Sequence, residues 1–165
     1  MFTRLSASFA VLSMTLLAST AARGTPVKLT PIAVTVSSTY SGLTPQSAID
    51  GDVDTYWNSG GFAPAWIQLD LGNLTAVSKV RLLPSMLPDG ATTQSIAVGA
   101  DLNSMRTVYT RSGATADNSW LEFSGDGLNG DRLGNIRYVR ITTTASPSWI
   151  GWREIEVYSG LEYFG

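Results

Sequence analysis

The sequence predicts an all-β protein, a jelly-roll β-sandwich of about eight antiparallel strands. Three observations carry this prediction. Apolar and polar residues alternate with period two in a series of short segments, as in strands with one dry and one wet face. The 16 Gly and 7 Pro supply many turn positions between those segments. Beyond the N-terminal stretch, no segment holds a convincing helical period.

The segments follow in order. Pro31–Ser37 alternates, and Trp66–Gly72 alternates most cleanly, with Ile67, Leu69 and Leu71 on one face. Val77–Leu83, Gln94–Gly99, Thr107–Tyr109 and Trp120–Phe123 come next. In Ile136–Thr143 the residues Val139 and Ile141 are expected to point inward, and in Glu154–Tyr158 so are Ile155 and Val157. Pro45–Ile49 is expected to make one helical turn before Asp50. So many half-buried strands cannot bury their dry faces as one flat sheet; two antiparallel sheets packed face to face can.

The 165 residues fit one domain. The first 22 residues read as a cleaved export signal. Arg4 is the positive end, Ala10–Ala18 the apolar run, and Ser19–Ala22 the small residues a signal peptidase requires. That run is too short for a comfortable bilayer span. Residues 23–30 then form a short leader, 31–158 the sandwich domain and 159–165 a C-terminal tail. The expected location is secreted or periplasmic, in a bacterium. The chain has no Cys, so core packing or a structural metal has to replace the disulfides common in small exported domains.

Charge and composition exclude several functions. The formal net charge is −2, and no basic stripe suits a nucleic acid or an anionic membrane. The absence of His and Cys removes Ser/His triads, Cys nucleophiles and His-ligated zinc. Only paired carboxylates remain for catalysis. The acids cluster in one loop or sit on strands, so a binding protein is expected rather than an enzyme.

Three segments carry a family resemblance. Ala48–Trp57 is an acidic loop leading to a Trp, Trp66–Gly72 is similar to a third-strand signature, and Trp149–Tyr158 to a closing strand. Together, and in this order, they resemble the discoidin or coagulation factor 5/8 type C domains, which have the galactose-binding-like fold. The resemblance spans about Pro31 to Tyr158 and includes family 32 carbohydrate-binding modules. It implies a binding function, with carbohydrate the expected partner and a role in lectin-like recognition or adhesion. A lipid-surface or protein-interaction module of the same fold is the alternative. For the lipid case, Met86 and Leu87 are the candidate apolar spikes.

Asp50, Asp52 and Asp54 stand at alternate positions, as oxygens around a hard cation would. An EF-hand fails, because its Gly and Glu positions hold Thr55 and Gly61. The resemblance instead implies a structural Ca2+ held by the Ser47 carbonyl, the Asp50 carboxylate, the Asp52 carbonyl and both oxygens of Thr55. The Arg153 carbonyl and the Glu154 carboxylate complete that set. A solvated acidic turn with Asx-type hydrogen bonds is the alternative.

A sugar site needs an aromatic platform and planar polar groups around it. In this fold such a site is expected where loops gather at one end of the sandwich. Four loops have that chemistry: 38–42, 58–64, 85–94 and 145–149. Trp149 or Phe62 is the expected platform, Asn58 and Gln94 the hydrogen-bonding partners, and Tyr40 an addition. Trp57, Trp66 and Trp152 adjoin strands and are expected in the core. Galactose-binding relatives commonly use a His and an Arg; with no His here, Gln94 would take such a place.

Overall fold

The period-two segments form strands, and their dry faces meet. A computed structural model describes residues 25–124 and 135–159. The expected export signal, the first two residues of the leader and the tail from 160 onward lie outside the described residues. Ten strands are present among the described residues: β1 (Lys28–Leu29), β2 (Ala33–Val36), β3 (Trp57–Asn58), β4 (Ala65–Thr75), β5 (Val77–Pro84), β6 (Gly90–Gly99), β7 (Arg106–Thr115), β8 (Leu121–Ser124), β9 (Ile136–Ala145) and β10 (Gly151–Ser159). The expected helical turn is a short 3-10 turn at Pro45–Ala48.

Every strand pairing is antiparallel. One sheet runs β1-β10-β5-β8, with β3 also on β10; the other runs β2-β4-β9-β6-β7. This is the jelly-roll sandwich the alternation demanded. The two-residue strands β1 and β3 were not legible. β1 lies in the stretch expected to be leader, pairing Lys28 with Tyr158 and Leu29 with Val157. Ser159, expected in the tail, ends β10 opposite Val77.

The core forms as the strand phase predicts. Ile67, Leu69, Val139, Ile141, Ile155 and Val157 are all buried between the sheets. Each such side chain contributes about 1.5–3 kcal/mol on leaving water. Tyr109 of β7 and Phe123 of β8 come from opposite sheets and meet edge to face, 5.1 Å between centroids, closing one side of the sandwich.

Trp57 and Trp152 are buried, and the Trp57 indole N–H donates to Thr39 Oγ1. Trp66 departs from expectation. It is half-buried on the outer side of its sheet, with the Arg140 guanidinium 4.7 Å from its ring centroid. Gln68 Oε1 accepts from both Nε and Nη2 of that arginine, which holds it in place.

Candidate functional site

Two places gather the residues singled out in the sequence. The first is the acidic loop. Asp50 Oδ1 accepts from the Asp52 N–H and Asp52 Oδ1 from the Asp54 N–H, so successive Asx turns curl the loop. This turns the Asp52 carboxylate to the backbone and leaves its carbonyl facing Thr55. Thr55 Oγ1 lies 2.8 Å from Asp50 Oδ2, 3.0 Å from the Asp52 carbonyl and 3.3 Å from the Ser47 carbonyl. One hydroxyl proton cannot serve three acceptors. An excess of converging oxygens is the donor set a hard cation uses.

Glu154 reaches this loop from β10. It is buried, and its Oε2 accepts from the Gly51 N–H at 3.1 Å while Oε1 accepts from Lys28 Nζ at 3.2 Å. Burial pushes its carboxyl above the ordinary carboxylate range, the Lys28 ammonium opposes that, and the Asp50 charge adds to it. Arg153 sits at a register shift: Trp152 pairs with Pro84 and Glu154 with Leu83, so Arg153 has no opposite number on β5. Its guanidinium turns away to Asp117, at 3.2 Å. Among the described residues no three His, Cys, Asp or Glu side chains group to hold a metal. A cation here would therefore depend on carbonyl and hydroxyl oxygens beside the carboxylates of Asp50 and Glu154.

The second place is one end of the sandwich, where hydrogen bonds join the four expected loops. The Tyr40 N–H donates to the Asn58 carbonyl, and Ser38 Oγ donates to the Ser59 carbonyl. The Ser59 N–H donates to the Ile150 carbonyl, and the Ile150 N–H to the Gly61 carbonyl. Ser148 Oγ accepts from the Leu87 N–H and donates to the Leu87 carbonyl. Gly90 is required by this closure, because a Cβ there would stand 2.8 Å from Pro147 Cγ. Gly60, at φ +80°, turns its chain against the Tyr40 backbone.

The expected ligand residues divide between these loops and the strands. Tyr40 and Phe62 are exposed, and Trp149 is 37% exposed. Asn58 lies on β3, where its Oδ1 accepts from the Gly60 N–H; that oxygen is committed to shaping the loop. Gln94 is not a loop residue. It belongs to β6 and is 1% exposed. Met86 is likewise buried and cannot be an apolar spike, whereas Leu87 is 66% exposed.

Gln94 and Trp149 nevertheless line one small hollow, together with Thr92, Thr115, Thr143 and Trp152. Tyr40, Asn58 and Phe62 do not line it. Gln94 Nε2 donates to Thr92 Oγ1, which is bonded to Thr115 Oγ1, and Arg111 Nη1 donates to the latter. Among the described residues two buried polar atoms here have no partner, Gln94 Oε1 and Thr143 Oγ1. Sequence reasoning missed Thr92 and Thr143. The available signal was phase: Thr92 and Gln94 share the inward phase of Ile96 and Val98, and Thr143 that of Val139 and Ile141.

Residues 33–156 match the F5/8 type C domain, and the chain belongs to that family. No curated protein sequence matches it. Among solved structures it is similar to the family 32 carbohydrate-binding module of AlyQ, in complex with 4,5-unsaturated mannuronic acid, at 25% identity and a TM-score of 0.63; the match covers 79% of this chain and 97% of that one. It is also similar to chitosan-binding module 1 from the chitosanase/glucanase of Paenibacillus sp. IK-5, at 28% identity and a TM-score of 0.62, covering 79% and 96%. The family 32 module of Clostridium perfringens NanJ, in complex with galactose, shares the fold at 18% identity and a TM-score of 0.63, covering 77% and 93%.

Proposed function

We propose that this chain is a non-catalytic, exported carbohydrate-binding module whose loop end receives the glycan and whose acidic loop holds a structural Ca2+. One observation carries the sugar reading: a partly exposed indole, Trp149, lines a hollow together with Gln94 and Thr143, each of which has a polar atom without a partner among the described residues. Sugars offer an apolar C–H face to such a ring and hydroxyls to such atoms. The similarity to family 32 modules supports it. Shallow sites of this kind bind with Kd from about millimolar to micromolar.

The calcium proposal is supported by the surplus of oxygens around Thr55 and by the bulge at Arg153. The ion would fasten the acidic loop to β10, the role a disulfide plays elsewhere. Export is supported by the N-terminal charge, apolar run and small residues. The lack of His and Cys supports binding without catalysis.

A glycan array run on the wild type and Trp149→Ala, with and without Ca2+, tests this function. Binding that disappears in the variant is expected; a folded protein silent on every glycan contradicts it. Leu87, exposed on the loop tied to Ser148, favours a second reading as a binder of uncharged lipid surfaces. Vesicle binding without glycan binding would establish that alternative.

A further inference from the structure

We infer that the hollow behind Trp149 is an inner subsite for one hydroxymethyl group, which makes the module select sugars with a free 6-hydroxyl and reject uronates. The inference rests on the carbohydrate-binding function proposed above and specifies which part of the sugar the protein reads.

Gln94 and Thr143 are opposite neighbours on β6 and β9. Both side chains are buried, and both keep a polar atom without a partner: the carboxamide oxygen of Gln94, an acceptor only, and the hydroxyl of Thr143, donor and acceptor. Buried polar atoms are nearly always satisfied, so two of them beside one opening call for a hydrogen-bonding group from outside. The Gln94 oxygen requires that group to be a donor. Of the two N–H donors on Gln94 Nε2, one is given to Thr92.

The space beyond these atoms admits about one water-sized group and not a pyranose ring. A hydroxymethyl arm fits that description, because it carries its hydroxyl one carbon beyond the ring. The ring can then stay outside, against Trp149. A hydroxyl entering the hollow donates to Gln94 Oε1 and accepts from Thr143 Oγ1. A carboxylate at the same carbon has no proton to donate at neutral pH and is wider. Among the described residues no cationic side chain lines the hollow to offset its charge, and the guanidinium behind it, that of Arg111, is engaged with Thr115 Oγ1 and the Ala114 carbonyl. Such selectivity would separate this chain from the AlyQ module, which was solved with an unsaturated mannuronic acid.

The test uses the methyl glycosides of galactose and of glucose, each in 6-hydroxy, 6-deoxy and 6-carboxy form. They are titrated by calorimetry into the wild type, Thr143→Val, Thr143→Ser and Gln94→Leu. The 6-hydroxy compound of at least one series is expected to bind about tenfold or more tightly than its two analogues. Thr143→Val should bring it down to the 6-deoxy level, while Thr143→Ser retains the preference. Because Thr143→Val removes an unpartnered buried hydroxyl and keeps the shape, its melting temperature should equal or exceed that of the wild type, separating lost binding from lost folding. Gln94→Leu provides a second variant at the other atom. If a glycoside binds but neither the 6-position nor Thr143→Val alters its affinity, the hollow holds only water; the subsite is then refuted and the carbohydrate function stands. If no glycoside binds and the glycan array is silent too, both are refuted.

Discussion

Glu154 on the last strand accepts a hydrogen bond from the Gly51 N–H at 3.1 Å, joining β10 to an acidic loop 103 residues earlier in the chain. The same carboxylate takes Lys28 from β1, so one buried acid connects both ends of the described domain. In a chain without Cys, this junction ties the acidic loop and β1 to the last strand.

A cation bound at the junction only in the folded state must raise the melting temperature. At about one hundred times its Kd, Ca2+ adds about 2.7 kcal/mol, a shift of several degrees for a domain of this size. Glu154→Gln keeps an acceptor for Gly51 but removes the charge, so its melting temperature should no longer respond to Ca2+. Differential scanning calorimetry with EDTA and with added Ca2+ reads this directly. A wild type indifferent to both would leave the loop as a solvated acidic turn.

Asp70 and Arg137 form a two-pronged pair, both contacts at 2.8 Å, between β4 and β9. The arginine holds the Asp70 carboxyl below its ordinary value of 3.8, with the Gly72 N–H assisting and burial opposing. A carboxylate with a lowered folded pKa contributes stability above pH 3.8 and loses it as the pH falls through the lowered value. Asp70→Asn should therefore lower the urea midpoint at pH 7, with the gap to the wild type closing in strong acid. A gap of constant size down to that range would mean the pair contributes by shape rather than charge.

Phe123 is buried and joins the two sheets through Tyr109. Phe123→Ala should cost about 3–5 kcal/mol by urea denaturation. Tyr109→Leu, which keeps apolar bulk but loses the edge-to-face contact, should cost about 0.5–1.5 kcal/mol. No loss in Tyr109→Leu would show that the contact has no weight beyond area.

Much of the fold was legible because strand phase is a local property. Ile67, Leu69, Val139 and Ile155 announce their faces through their immediate neighbours. β1 and β3, of two residues each, are too short to show any period, and Lys28 pairs only because β10 lies beside it. Trp66 shares its strand with core residues but has the opposite phase, which placed it outside under Arg140. The acidic loop was legible because Asx turns are local, whereas the bulge at Arg153 depends on register with β5. The hollow was hidden for the same reason. Gln94 and Thr143 are ordinary polar strand residues until β6 and β9 set them side by side.

Trp149 lines the hollow, is partly exposed and lies outside the core cluster, so Trp149→Ala should melt within a few degrees of the wild type while losing about 2 kcal/mol of glycan affinity, roughly thirtyfold.

The most direct measurement is an NMR titration of the 15N-labelled wild type with the strongest glycan from the array, following the indole N–H signals of its 5 Trp residues. The signal identified as Trp149 by its loss in Trp149→Ala should move most, together with backbone signals from Leu87 and Ser146–Ile150. Saturable shifts confined to a sheet face around Trp66, with Trp149 unmoved, would contradict a binding site at the loop end.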